Sequence, residues 1–173
     1  MTTPVAPHAE PRLLADIGAT YARFCIERVR GQFEHVAVLP CADYPGFTAV
    51  VRAYLDTLGD IRPRHGAVAI ANPIGGDQVR MTNRDWAFSI QDVQRQLELS
   101  TLLVVNNYTA LAMSLPHVGA DGRHQVGGGE AQPDGVIGLI GPGTGLGVSG
   151  LVPGGDRWVT LATEGGHVSF APT

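Results

Sequence analysis

The stretch Arg12-Leu13-Leu14-Ala15-Asp16-Ile17-Gly18-Ala19-Thr20-Tyr21-Ala22-Arg23-Phe24-Cys25-Ile26 decides how this chain is read. Leu13 to Ile17 is a short apolar run that stops at Gly18, the pattern of a strand entering a turn. Beyond it Ala22, Phe24 and Ile26 alternate with Arg23, Cys25 and Glu27, the period of a half-buried second strand. Gly31 marks another turn, and Val36-Ala37-Val38-Leu39 before Pro40 closes a third strand. Successive hairpin-like strands at the start of an otherwise α/β chain are an uncommon signature. The first turn also carries chemistry. A carboxylate at a strand end (Asp16), small residues (Gly18, Ala19) and a hydroxyl (Thr20) suit a magnesium–phosphate site. Small residues let backbone N–H groups approach phosphate oxygens, and the hydroxyl adds a donor. An ordinary hairpin turn has the same composition, so the turn alone does not choose between the two.

Working outward, Asp43-Tyr44-Pro45-Gly46 opens a helix whose apolar face is Phe47, Val50, Val51, Tyr54, Leu55 and Leu58, and Gly59 ends it. Ala67 to Ala71 reads as a buried strand and Gln78 to Thr82 as a weaker one. Ser89 is an N-cap, with Asp92 three residues on and Ile90, Val93 and Leu97 on one face. Leu102 to Val105 is a strand that runs straight into Asn106-Asn107. A short helix with Ala110, Leu111 and Leu115 follows, stopped by Pro116. Residues 117–135 are polar and glycine-rich and are expected to form a loop or linker between domains. Val136 to Ile140, Leu146 to Val152 and Trp158 to Leu161 then repeat the opening plan, a weak internal symmetry.

The repeat includes a second turn, Gly141-Pro142-Gly143-Thr144-Gly145-Leu146-Gly147, again glycines and a threonine between apolar strands. Two such turns facing each other could cradle the phosphates of a nucleotide. Gly145-Leu146-Gly147-Val148-Ser149-Gly150 also matches the dinucleotide string G-x-G-x-x-G, but no helical pattern follows it, so that reading is rejected.

Composition removes other classes. All 12 Lys+Arg residues are arginines, which excludes a P-loop lysine or a Schiff-base amine. A net charge of −4 offers no basic field for nucleic acid. Cys25 and Cys41, without a secretory signal, fit reduced thiols in the cytoplasm better than a disulfide framework. No apolar run approaches spanning length, so no membrane association is expected. Residues 1–11, with Pro4, Pro7 and Pro11, read as a disordered tail.

Ordered motifs along the chain resemble the bacterial glucokinase family. Arg12 to Arg23 is similar to that family's opening, whose usual form is D-I-G-G-T-N-A-R. Ala71-Asn72-Pro73-Ile74-Gly75-Gly76-Asp77, Met81-Thr82-Asn83 and Trp86-Ala87-Phe88-Ser89 look like its next signature. Val104-Val105-Asn106-Asn107-Tyr108-Thr109-Ala110 resembles its N-D-F-T-A segment, Gly141 to Gly147 its second phosphate turn, and Glu164-Gly165-Gly166-His167 its sugar-binding E-G-G-H. The resemblance implies a ribonuclease-H-like actin/hexokinase ATPase fold, with a small α/β domain over 12–116 and the truncated beginning of the large domain over 136–173. It implies transfer of the γ-phosphoryl of ATP to O6 of glucose, with Mg2+ as companion ion, glucose and ATP as partners, and room for a homodimer. By the same resemblance Asn106, Asn107, Glu164 and His167 would contact the sugar. Asp16, Gly18, Ala19, Thr20, Gly141, Gly143, Thr144 and Gly145 would hold the nucleotide phosphates, and Asp16 the magnesium. A sugar is a cluster of hydroxyls, so amide, carboxylate and imidazole partners suit it independently of the resemblance.

Three positions depart from the family pattern. Asn107 stands where the family has its base aspartate, Ala19 replaces a glycine, and Tyr21 replaces an asparagine. An amide cannot take a proton near neutral pH. Alanine would be strained if its position needed positive φ. The competing reading is therefore a catalytically inactive sugar-binding pseudokinase or regulatory fragment of the same descent.

Overall fold

The computed structural model describes residues 7–82, 84–142, 146–163 and 165–167. They belong to two compact units, Met1–Val105 and Asn106–Thr173. This division falls ahead of the 117–135 loop that glycine content marks as the boundary. The helix following Asn106 packs on strands of the second unit, and those contacts rather than composition decide where it belongs.

In the first unit β1 (Pro7–Ile17), β2 (Tyr21–Val29) and β3 (Gln32–Pro40) form the expected antiparallel meander. With β4 (His65–Ile70) and β7 (Thr101–Asn106) they make one sheet in the order β3-β2-β1-β4-β7. β4 runs parallel to β1, as a strand returning through a helical crossover must. β5 (Gln78–Arg80) and β6 (Ala87–Ser89) form a separate two-stranded ribbon.

The period of two sorts the sheet's faces. Leu13 and Ile17 on β1, Phe24 and Ile26 on β2, and Val68 and Ile70 on β4 all turn to one buried side. There they meet Phe47, Val50, Val51 and Tyr54 of α1 (Phe47–Asp56) and Val93 of α2 (Ile90–Gln96). These are the helical faces marked by spacing. Phe24 stacks on Tyr54 with centroids 4.7 Å apart, and Phe47 stacks on Phe88 at 4.3 Å. Tyr54 donates its hydroxyl to the carbonyl of His35 at 2.9 Å, a residue held at φ 51°. Burial pushes the Tyr54 phenol up to about 12.

The strand begins earlier than the sequence suggests. Residues 7–11 belong to β1 rather than to a disordered tail: Pro7 pairs with Val29, and a Glu10 carboxylate oxygen lies 3.1 Å from Nε2 of His65. Proline lacks the ladder N–H, and the register slips between Pro7 and Arg12, an irregular stretch where a sheet tolerates it.

Helix α2 shows how the local code works. Ser89 caps it by accepting from the Asp92 amide at 3.1 Å, while Asp77 accepts from the Gln91 amide at 2.9 Å. Hydrogen bonds from the Ser89 hydroxyl and then from the Gln91 amide hold the Asp77 carboxyl below its ordinary 3.8. A carboxyl depressed by folding stabilises fully above its unfolded value, and that contribution is lost as pH falls through the folded value. The urea midpoint of Asp77→Asn should therefore lie below that of the wild type at pH 7, with the gap closing below pH 3.8. A gap that stays constant down to pH 3 (about a unit below the free carboxyl) would contradict this account.

The second unit is smaller. β8 (Ile137–Pro142), β9 (Leu146–Pro153) and β10 (Trp158–Leu161) form an antiparallel sheet in the order β10-β9-β8, repeating the opening meander as the sequence symmetry suggests. α3 (Asn107–Ser114) packs on β9 and β10, burying Ala112, and Leu151 is buried in the sheet. Ser149 donates its hydroxyl to the Leu161 carbonyl at 3.0 Å. No helix among the described residues is long and apolar enough to cross a membrane.

Candidate active site

The first turn, between β1 and β2, has an unusual pattern of hydrogen bonds. Its carbonyls are tied back into the protein one after another. The Cys41 thiol lies 3.7 Å from the Gly18 carbonyl, Nη2 of Arg84 donates to the Ala19 carbonyl at 2.7 Å, and the Cys41 amide donates to the Thr20 carbonyl at 2.9 Å. The Gly18 amide closes the turn onto the Tyr21 carbonyl at 3.0 Å. Among the described residues, none takes a hydrogen bond from the amides of Ala19 and Thr20. Tied carbonyls and untied amides are what an anion-binding turn needs.

Asp16 stands at the end of β1, opposite Arg23 in the register, and Arg23 Nη1 lies 3.1 Å from its Oδ2. Both side chains are about half exposed (48% for Asp16, 55% for Arg23), so the pair is open to solvent and contributes little to stability. Mg2+ is commonly held by one or two carboxylates together with water and substrate phosphates. An exposed carboxylate beside a turn with untied amides fits that requirement, and Asp16 could be its ligand.

Two of the departures noted in the sequence cause no backbone difficulty. Among described non-glycine residues only His35 and Glu98 have positive φ, so Ala19 adopts an ordinary conformation and the strain considered for it does not arise. Tyr21 starts β2 with its side chain 45% exposed and serves the turn through its carbonyl.

In the second unit Asn106 and Asn107 form the N-terminus of α3. Asn106 is the N-cap: its Oδ1 accepts from the amides of Tyr108 at 2.8 Å and Thr109 at 3.2 Å. Asn107 Oδ1 accepts from the Tyr108 amide at 3.0 Å. Side-chain oxygens thus turn inward to satisfy the helix start. Tyr108 crosses to the base of the second turn and donates its hydroxyl to the Gly141 carbonyl at 2.7 Å. Gly141 and Gly147 are cross-strand partners, and the Tyr108 ring occupies the place that side chains there would fill. A Cβ at Gly141 would come 2.7 Å from Tyr108 Cε1, and one at Gly147 would fall within the ring. The two glycines make a flat seat for an aromatic ring.

The E-G-G-H segment has a similar steric reason for glycine. A short 3-10 turn over Gly165–His167 lies against β9, where a Cβ on Gly166 would overlap the Leu146 carbonyl. Gly143, Thr144, Gly145 and Glu164 lie outside the described residues, as does the side chain of His167.

The structure thus gathers Asp16, Gly18, Ala19 and Thr20 in one turn, and Asn106, Asn107 and Gly141 around Tyr108. The sequence reading missed four participants. Cys41 and Arg84 reach the first turn from distant positions, and no spacing rule signals them. Asn72 is buried, donating to the Pro73 carbonyl at 2.9 Å and accepting from the Thr82 amide at 2.9 Å, which ties the loop after β4 to the ribbon. Tyr108 could have been found: an aromatic beside two helix-opening asparagines, with a glycine pair downstream, invites such packing.

Comparison with known proteins bears on the whole of this arrangement. The family model described as Glucokinase matches residues 13–173. The chain belongs to the glucokinase family. It is 58% identical over 166 residues to the protein of Paraburkholderia xenovorans named "Bifunctional protein glk", covering 95% of this chain and 26% of that one. It is 51% identical over 166 residues to the glucokinase of Chromobacterium violaceum, covering 96% of this chain and 48% of the relative. Among solved structures, a glucokinase from an Antarctic psychrotroph superposes with a TM-score of 0.84 at 32% identity, over 96% of this chain and 53% of that one. The chain therefore spans about a quarter to a half of the length of the curated relatives it matches. The actin/hexokinase-type α/β fold inferred for the glucokinase family member is consistent with both meanders.

Proposed function

We propose that this chain provides the phosphate-holding turns and sugar-contacting residues of an ATP-dependent glucose kinase acting in the cytoplasm. The observation that carries the reading is the first turn, whose carbonyls are tied back by Cys41 and Arg84 while the Ala19 and Thr20 amides are left untied among the described residues. That arrangement suits the oxygens of a nucleotide phosphate, with Asp16 beside it for Mg2+. Bound Mg2+ would neutralise charge on the transferring phosphoryl group. Asn106, Asn107, Glu164 and His167 would receive the sugar hydroxyls, with Gly143, Thr144 and Gly145 completing the second turn.

The reaction forms a bond between O6 of glucose and the γ-phosphorus, breaks the bond from that phosphorus to the β,γ-bridging oxygen, and releases ADP. The O6 proton must leave. Asn107 can accept a hydrogen bond from that hydroxyl but cannot keep its proton, which passes to water instead. Positioning and electrostatic stabilisation account for most of the catalysis in phosphoryl transfer, so slow turnover remains compatible with this residue.

The second reading, a sugar-binding pseudokinase, is favoured specifically by Asn107. One experiment separates the two. Glucose 6-phosphate formation from glucose and Mg·ATP would be followed for this chain and for a chimera continued with the remainder of the Chromobacterium violaceum glucokinase. Glucose binding would be measured alongside by calorimetry. Slow, glucose-dependent turnover by the chimera is expected. Binding without turnover would favour the pseudokinase, and neither binding nor turnover in either protein would sink both readings.

A further inference from the structure

Arg84 has no place in the motif chemistry, yet its environment is specific. Its Nη2 donates to the Ala19 carbonyl at 2.7 Å, and its guanidinium lies 5.1 Å from the centre of the buried Trp86 ring. Its Nε is buried without a hydrogen-bond partner among the described residues. Native proteins seldom leave a buried donor unsatisfied, and such exceptions call for an explanation. The orientation here is set by the stack on Trp86 and by the reach to Ala19, at the expense of Nε. A cation held over an aromatic face is fixed in direction as well as position.

The Ala19 carbonyl is the middle one of three. Cys41 holds its neighbours, the thiol against Gly18 and the amide against Thr20. Burial raises the Cys41 thiol above its usual range, while the nearby Arg84 charge acts in the opposite direction, so the thiol stays protonated at neutral pH. Without Arg84 the peptide between Ala19 and Thr20 would lose its only tether among the described residues and could rotate. That rotation would put a carbonyl, which repels anions, where the untied N–H now stands.

We propose that Arg84 is a positioning residue that locks the Ala19–Thr20 peptide with its amide presented to a nucleotide phosphate, acting through the turn rather than by touching the phosphate. The inference rests on the kinase reading for its ligand but not for its geometry, and the test separates the two. Amide resonances of residues 18–20 would be followed by NMR in this chain while Mg·tripolyphosphate is added. Arg84→Met keeps the stem over Trp86 and removes every donor; Arg84→Lys keeps the stem and one donor.

The wild type is expected to respond, Arg84→Met to bind at least about tenfold more weakly (1.4 kcal/mol per tenfold), and Arg84→Lys to recover part of the loss. Glucose affinity should stay within about twofold in both variants, since a tether at one turn is not shared with the sugar contacts. Equal phosphate binding by Arg84→Met and wild type overturns the proposal, and so does a parallel loss of phosphate and glucose affinity. If the wild type itself ignores tripolyphosphate, the phosphate role of the turn fails, and hydrogen exchange then decides the tether. Arg84→Met must speed exchange of the Gly18 and Cys41 amides at least about tenfold while β4 amides keep their protection. Unchanged exchange at those amides would end the proposal.

Discussion

Asn107→Asp should raise the rate of glucose phosphorylation about 10²- to 10⁴-fold, the usual contribution of a positioned general base. The substitution replaces one heavy atom, the amide nitrogen by oxygen, at the start of α3, where Asn107 Oδ1 accepts from the Tyr108 amide at 3.0 Å. A carboxylate can make the same hydrogen bond, and a negative charge at a helix N-terminus is favoured by the helix dipole. The fold should therefore accept it without loss. The second oxygen of the new carboxylate is the one that would take the O6 proton. The gain should appear in kcat, because the amide already offers the ground-state hydrogen bond and only proton acceptance is new. Ala19→Gly and Tyr21→Asn should each change kcat by less than about threefold: Ala19 has no positive φ to relieve, and Tyr21 serves the turn through its backbone. Steady-state kinetics on the chimera checks all three. If Ala19→Gly rescues and Asn107→Asp does not, the defect lies in the phosphate turn and the assignment of Asn107 is wrong.

That contrast shows what the sequence could and could not say. Both meanders were legible from local properties: alternation over Ala22 to Ile26, and short apolar runs bounded by glycine turns over Leu13 to Ile17 and Leu146 to Val152. Helix α2 was legible through Ser89, whose capping role needs only the next three residues. The start of β1 was not, because Pro7 and Pro11 signal interruption while pairing with Val29 and the Glu10–His65 contact depend on distant partners. The candidate site divides in the same manner. Asp16 to Thr20 and Asn106-Asn107 stand out as motif residues, whereas Cys41 and Arg84 matter through the carbonyls they hold. The cost of Ala19 stayed conditional in the sequence for a related reason. A family glycine can reflect positive φ, close approach of a ligand or simple smallness, and only the backbone conformation distinguishes the first from the others.

Gly147→Ala should be strongly damaging to the second unit. Gly147 pairs with Gly141 across β8 and β9, and the Tyr108 ring lies where both side chains would be. A Cβ at Gly147 falls within that ring, so no small rotamer adjustment of Tyr108 relieves the overlap. The ring must leave its seat, giving up its packing and its 2.7 Å hydrogen bond to the Gly141 carbonyl. Overpacking of this kind costs about 1–3 kcal/mol and sometimes more, and the lost hydrogen bond adds about 1 kcal/mol. For a chain of this size that corresponds to a fall in melting temperature of roughly 5–15 °C. Tyr108→Phe removes only the hydroxyl and should cost no more than the hydrogen-bond share. The diagnostic variant is the double change. If the ring is what Gly147 accommodates, Tyr108→Ala should be destabilising alone but should cancel most of the penalty of Gly147→Ala, giving strong non-additivity. Additive losses would mean that Gly147 is needed for its own backbone rather than as a seat for Tyr108. The same displacement should disturb the N-terminus of α3, because Tyr108 directly follows Asn107 and its amide is the shared donor to both asparagines. Glucose affinity of Gly147→Ala should therefore drop along with stability, linking the glycine of the second turn to the proposed sugar contacts through one aromatic ring.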